Sequence, residues 1–336
     1  GLGDVYKRQV LVTGKNMAPI HLSLRPVTPE TCGILLKNYL STAFHGTLGT
    51  LAADIPAGGT IRLEQPFPQK LSAGKVTEVD LPLTLRSRNG AVYPFDNQKF
   101  QALTALRVPD NATLSTVDWH SLPRLELTNR IIPGQDQAFR ANCRLAWNSA
   151  GFFVEITVRD RIFSHRAFPK LKDRWDNDSI QIYFDSLGNA RSNLADGYDD
   201  DDYDYAVYPD EQGKSAVVYR NRTPDQQLTL GTEAPKDQTL APDIPVVFRR
   251  TDSGYVCRVH FPAKYLLPAV LKKGEVLGVG LMVNNADDPA RNYPDRRCGA
   301  LSNSTVKGAD CCNKPKTYPA VLLWEQENPL SRPAFR

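Results

Sequence analysis

The chain has 336 residues, a length that favours two domains over one, and its 41% hydrophobic and 23% charged content can pack a core, which argues against wholesale disorder. A net charge of +4, with Lys and Arg scattered rather than striped among aromatics, argues against a nucleic-acid surface, and no apolar run approaches the ~20 residues that span a bilayer. The 25 prolines and 22 glycines, without the long amphipathic runs of a helical bundle, point to a β-rich chain with many turns.

Residues 1–9 lack an initiator Met and the charged-then-apolar layout of a signal peptide. They resemble the adaptor read-through translated at the ends of metagenomic gene fragments and are set aside as non-native. Residues 10–108 read as one small β-domain. Period-two alternation marks strands at 21–25, 33–39, 46–51, 60–64 and 77–85, separated by turn signals at Pro26, Pro29, Gly58-Gly59, Gly74 and Asn89-Gly90. This pattern resembles the immunoglobulin-like accessory domains that precede sugar-binding modules in bacterial secreted glycosidases. His21 and His45 stand alone and suggest no ligand set.

Pro109-Asp110-Asn111 reads as the junction, residues 109–326 as a second, larger domain and 327–336 as a tail. Alternation over 139–147 and 152–160, broken by Asn148 to Gly151, predicts a hairpin. At 173–185 a loop becomes a strand, with Ile180, Ile182 and Phe184 on one face and Gln181, Tyr183 and Asp185 on the other. Trp175 sits just ahead of this strand among charged residues. Either it is presented on a surface, where its ring would suit the C–H face of a sugar, or it folds inward and caps the core. Further strands are expected at 203–208, 215–219, 244–249, 254–261, 275–284 and 320–324, with a short helix or turn at 262–267. Trp119, Trp147 and Trp324 lie in or beside apolar strands and are expected in the core. The fold class is therefore all-β, two β-sandwich domains, the second larger.

Asp196, Asp199, Asp200, Asp201, Asp202 and Asp204 crowd six carboxylates into nine residues. Such a run either binds a hard cation, most simply Ca²⁺, or forms a solvated acidic loop; its spacing is not that of an EF-hand. The six cysteines include no C-x-x-C pair, so a zinc or redox motif is not expected. Cys143 and Cys257 fit as small buried residues. Cys298 with Cys311 or Cys312 would close a loop of about a dozen residues, worth ~3 kcal/mol as a disulfide in an oxidising compartment. No hydrolase, metalloprotease or phosphate-loop motif is present, and His120, His165 and His260 are isolated, so the chain is not expected to be an enzyme.

Over residues 114–325 the order of features resembles a carbohydrate-binding module of family 9 and its wider relatives. Four pieces carry the resemblance: Val117-Asp118-Trp119; Cys143 to Trp147 followed by Gly151 to Asp160; Trp175-Asp176-Asn177-Asp178-Ser179-Ile180-Gln181-Ile182-Tyr183-Phe184-Asp185; and Val283 to Asp287 with the closing strand at Trp324. The resemblance implies a β-sandwich that grips the ends of glucan or xylan chains between two tryptophans and binds calcium structurally. Trp175 matches the first tryptophan. The second falls near Cys311 or Cys312, where there is none; Gln181 stands where the family has Glu, and Ala206 where it has Arg. The implied site is Trp175 as stacking platform, with Asp178, Gln181, Asn284 and Asn285 as hydrogen-bonding groups and Asp199, Asp200, Asp201 and Asp202 as calcium ligands. The implied role is non-catalytic binding of polysaccharide or oligosaccharide by an extracellular or periplasmic bacterial protein, a fragment of a larger polysaccharide-degrading or surface protein whose catalytic domain lies elsewhere in the full-length chain. The alternative is a structural or protein-interaction sandwich that has lost its sugar. Relatives of this sandwich also bind haem; Met282 and His260 are the residues to consider, and core packing explains Met282 better.

Overall fold

Period-two alternation builds an all-β structure with no α-helix among the described residues. The computed structural model describes residues 20–95, 99–133, 135–164, 175–190, 197–224, 237–287, 297–308 and 311–325. The expectations for residues 1–9, His165, Asp196 and the tail lie outside them. No described helix is long and apolar enough to cross a membrane.

The N-terminal strands are β1 (Ile20–Thr28), β2 (Thr31–Asn38), β3 (Gly46–Leu48), β4 (Leu51–Ala52), β5 (Thr60–Pro66), β6 (Thr77–Asp80), β7 (Thr84–Ser87) and β8 (Val92–Pro94). Seven of them form a three-stranded sheet, β1-β2-β5, and a four-stranded sheet, β4-β3-β7-β8, around a core that includes Ile34, Leu36, Phe44, Leu48 and Leu85, while β6 pairs antiparallel with residues 99–102 of the large sheet. The single run expected at 77–85 is two strands, because Pro82 supplies no N–H to a ladder.

The remaining strands are β9 (Lys99–Arg107), β10 (Leu125–Leu127), β11 (Asn129–Arg130), β12 (Arg140–Asn148), β13 (Gly151–Arg159), β14 (Ser179–Asp185), β15 (Asp202–Pro209), β16 (Ala216–Arg222), β17 (Thr239–Leu240), β18 (Val246–Thr251), β19 (Gly254–Pro262), β20 (Val276–Asn285), β21 (Gly299–Ser302) and β22 (Ala320–Trp324). Their main path runs β17-β16-β15-β14-β20-β22-β9-β12-β13-β19-β18. The path folds over on itself into a sandwich. Phe184 of β14 and Tyr205 of β15 meet Phe261 of β19 across the core, both with ring centroids 5.0 Å apart.

Strand β9 was not expected from the sequence, and it sits at the fold of the path. It pairs in parallel with β22 on one side and β12 on the other. Leu103 and Ala105 face the sandwich core, while Phe100 and Ala102 face the N-terminal core. Strand β20 divides in the same way. Leu277, Val279, Leu281 and Val283 point into the sandwich, and Val276 points outward into the N-terminal core. The N-terminal strands therefore pack on the outer surface of the large sheet, pinned further by the Arg25–Glu275 ion pair at 3.0 Å.

Trp119 and Trp147 are buried; Trp324 is partly buried against the N-terminal core. Trp147 Nε1 donates to the carbonyls of Ala105 and Trp324, at 3.1 and 3.2 Å, so one indole fastens all three strands at the fold.

A chain beginning at Pro109 lacks β9. It exposes the flanks of β22 and β12 and removes one acceptor of Trp147. Such a chain is expected to lose cooperative thermal unfolding, whereas the full chain melts cooperatively. A sharp melt with intact near-ultraviolet circular dichroism from the shortened chain would show that β9 is dispensable.

Candidate functional site

Alternation along β14 decides what the outer face offers. Ile180, Ile182 and Phe184 go into the core, so Ser179, Gln181 and Tyr183 point outward. Across β20 the outward residues are Asn284, opposite Ser179, and Met282, opposite Gln181; Ala206 of β15 lies opposite Gln181 on the other flank. Asn284 is fully buried and donates from Nδ2 to Ser179 Oγ at 3.1 Å and Gln181 Oε1 at 3.3 Å. These amides form the floor of the site.

Trp175 is part-exposed at the rim and packs against Ala206, Tyr208 and Tyr219. The turn that carries it is polar yet buried: Asp176, Asn177 and Asp178 are each at most 1% exposed. The side chains of Asp176 and Asp178 are used to hold backbone. Asp178 accepts from the N–H groups of Ser164 at 2.6 Å and Ala286 at 3.0 Å, and Asp176 Oδ1 accepts from the N–H of Arg297 at 3.2 Å. The guanidinium of Arg297 lies over the Trp175 ring, 4.7 Å from its centroid, and its Nη1 donates to Asn284 Oδ1 at 3.1 Å. Arg297 was not anticipated from the sequence. It carries no periodic signal, and only the pairing of β20 with β21 brings it to the indole.

The structure thus brings Trp175, Gln181 and Asn284 together on one face and takes Asp178 and Asn285 inward. One oxygen from each of Asp160, Asp178 and Asp287 lies within 4.8 Å of the others. Asn285 serves this group, donating from Nδ2 to Asp287 at 3.2 Å. Burial, reinforced by the neighbouring carboxylate of Asp287, pushes Asp160 up to about 7, and burial with the Asp160 charge raises Asp178 as well. Asp160 and Asp287 went unassigned in the sequence reading; the signal was Asp160 closing the predicted hairpin.

The acidic run behaves unevenly. Asp200 is exposed, Asp199 is part-exposed, and Asp201 and Asp202 are buried beside Asp185. Asp201 accepts from Leu187 N at 2.8 Å and Asn189 Nδ2 at 3.0 Å. Burial, then the charges of Asp185 and Asp199, push Asp202 up to about 9. Asp160 Oδ2 and Asp202 Oδ1 are buried without a hydrogen-bond donor, the condition an oxygen-seeking cation relieves. The Asp160, Asp178 and Asp287 group therefore fits a hard divalent ion, whereas the carboxylates of the acidic run do not gather into a comparable set among the described residues.

Of the two cysteines near the position where the resemblance puts a second tryptophan, Cys311 is fully buried among Tyr183, Met282 and Tyr318, and Cys312 is exposed. Tyr318 stacks on Tyr183 at 5.6 Å across Gly280, where an added Cβ would come within 2.6 Å of the Tyr318 ring. Met282 is thus a packing residue. Cys298 Sγ donates to Asn285 Oδ1 at 2.9 Å, while Cys311 Sγ faces the Leu281 carbonyl at 3.9 Å. His260 stacks on Phe153, with ring centroids 4.1 Å apart.

The profile of a family described as "Carbohydrate family 9 binding domain-like" matches residues 112–297. No curated protein matches the chain. Among solved structures, a family 9 carbohydrate-binding module from Caldicellulosiruptor kristjanssonii in complex with cellotriose is 16% identical, with 69% of this chain and 99% of that one covered at a TM-score of 0.47. The same organism's module in complex with glucose is also 16% identical, with 68% and 99% covered and a TM-score of 0.48.

The buried carboxyls set a pH dependence. Asp160 and Asp202 hold their protons more tightly folded than unfolded, so the folded state binds more protons. Stability then falls as pH rises from ~4, through about 7 for Asp160 and about 9 for Asp202. In chelating buffer the melting temperature is expected to drop between about pH 5 and about pH 8, by roughly 2–4 °C per kcal/mol lost, and added calcium to restore it most at the higher pH. A melting temperature indifferent to both pH and calcium would argue against a cation at either group.

Proposed function

Because this chain belongs to the carbohydrate family 9 binding domain-like family, we propose that it binds polysaccharide or oligosaccharide without catalysis, on the outer face around Trp175. The observation that carries the reading is the pairing of a part-exposed indole with a floor of side-chain amides from Gln181 and Asn284. An aromatic face takes the C–H side of a sugar and a neighbouring amide takes a hydroxyl; here that amide is Gln181, since Asn284 is fully buried and bonded through both its amide atoms. Asp178 and Asn285 act from beneath by fixing the turn and the end of β20.

In the same reading calcium is structural. Asp160, Asp178 and Asp287, whose oxygens gather within 4.8 Å, would hold an ion; Asp199, Asp201 and Asp202 of the acidic run are proposed as further ligands without such a gathering among the described residues. Bound calcium would neutralise carboxylates that otherwise repel, with Asp200 left in solvent. The N-terminal strands serve as an immunoglobulin-like spacer. The protein works outside the cytoplasm, as part of a longer polysaccharide-degrading or surface protein that supplies any catalytic domain.

One observation favours a second reading. The sequence has no tryptophan near Cys311 or Cys312, and Cys311 is buried among Tyr183, Met282 and Tyr318, so the two-tryptophan clamp that the resemblance implies is not formed there. A sandwich that keeps the fold for structural or protein-interaction purposes would look the same there.

A glycan array in calcium buffer, run on the wild type beside Trp175→Ala, separates the two. Carbohydrate binding is expected to one glycan class and to weaken by about 1–3 kcal/mol, roughly 5- to 150-fold, on loss of the ring. No binding to any plant, algal or host glycan by a folded sample would leave the structural reading standing.

A further inference from the structure

Arg297 holds the indole of Trp175 by two independent attachments. Its backbone N–H is bonded to the buried carboxylate of Asp176, in the turn that carries the indole. Its side chain then crosses from the β20–β21 flank, stacks 4.7 Å over the ring and anchors Nη1 on Asn284 Oδ1. From the opposite flank of β14 the indole packs on Ala206, Tyr208 and Tyr219, all buried and fixed in β15 and β16. The ring is therefore held between a rigid cluster and a long, part-exposed side chain with a polar head. Of the two, only the guanidinium can leave without unpacking the sheet.

Resting on the carbohydrate reading, we propose that Arg297 is a specificity-determining residue: its guanidinium covers the stacking face of Trp175, and a sugar takes that face by displacing it. Ala206 makes this possible, since a small residue there lets the indole settle toward β15 and leaves the space above Asn284 to the guanidinium. Displacement breaks, among its contacts, the cation–π contact, the charge-assisted hydrogen bond to Asn284 and the approach of Nη1 to Met282 Sδ at 4.0 Å. A ligand that stacks and also offers an acceptor to the displaced guanidinium recovers both. One that only stacks does not, so the cover discriminates among glycans that a bare indole would accept alike.

Two measurements test this on the full chain, using Arg297→Ala and, to guard against misfolding, Arg297→Lys, each checked by circular dichroism. The first needs no ligand. Acrylamide quenching of tryptophan fluorescence, taken as the difference between each protein and its Trp175→Phe counterpart, isolates Trp175 and is expected to rise in Arg297→Ala. The second is calorimetric titration with cello- and xylo-oligosaccharides. Arg297→Ala is expected to bind the preferred oligosaccharide about 3- to 10-fold more tightly and to separate the two series less well, with Arg297→Lys in between because an ammonium lacks the planar face. Unchanged quenching, or weaker binding by a folded Arg297→Ala, would overturn the cover and make Arg297 a positioning residue. If quenching rises but neither wild type nor variant binds any oligosaccharide, the cover stands and the carbohydrate reading fails.

Discussion

The candidate site depends on the register of β14. Ile180, Ile182 and Phe184 are fixed in the sandwich core by rings from β13, β15 and β19. A slip of one residue would turn these three to the outer face and drive Ser179, Gln181 and Tyr183 into the apolar core, a change that the core forbids. The polar floor is thus positioned by apolar packing on the opposite face. The indole needs more, because it precedes the strand and inherits no register. Its position comes from Asp176 and Asp178, whose carboxylates bind backbone N–H groups of residues that arrive from three other segments: Ser164, Ala286 and Arg297.

Strand β20 joins this site to the rest of the molecule. Its outward positions run from Val276, inside the N-terminal core, through Gly280 beneath the Tyr183–Tyr318 stack, to Met282 and Asn284 at the floor. The N-terminal strands and the site therefore share one outer surface of one sheet. With β9 packed into both cores and hydrogen-bonded on both sides, the two parts meet through a strand rather than a linker. Relative motion between them would have to break ladder hydrogen bonds or Trp147's two carbonyl contacts.

Much of this was legible in the sequence. The hairpin β12–β13 and strands β14, β15, β19 and β20 follow the alternation expected of them to within a residue or two. The buried positions of Trp119 and Trp147 follow from the same pattern. Strand β9 was not found because both its faces are apolar. Phe100 to Leu106 shows no period of two, the mark of a strand buried on both sides. Alternation also says which face a side chain takes but not what it meets there. It placed Gln181 on the face opposite Ile180, yet Asp178 lies in a turn, where no period applies. Asn284 and Asn285 came from the resemblance alone, and Asn285 ends among the carboxylates of Asp160 and Asp287. The neighbours of Trp175 come from long-range sheet pairing that no local pattern encodes.

The turn beneath the indole is held by an arrangement that works against itself. Asp178 and Asp176 must be good acceptors to bind backbone N–H groups, and charge makes them better acceptors. Burial and the nearness of Asp160 oppose that charge at Asp178. The tension resolves when a proton or a cation sits among Asp160, Asp178 and Asp287, so the occupant of that group sets how firmly the turn is held. Since the same turn carries Trp175 and, through Asp176, receives Arg297, the rigidity of the aromatic platform and of the side chain lying over it is linked to the charge state of carboxylates that touch neither.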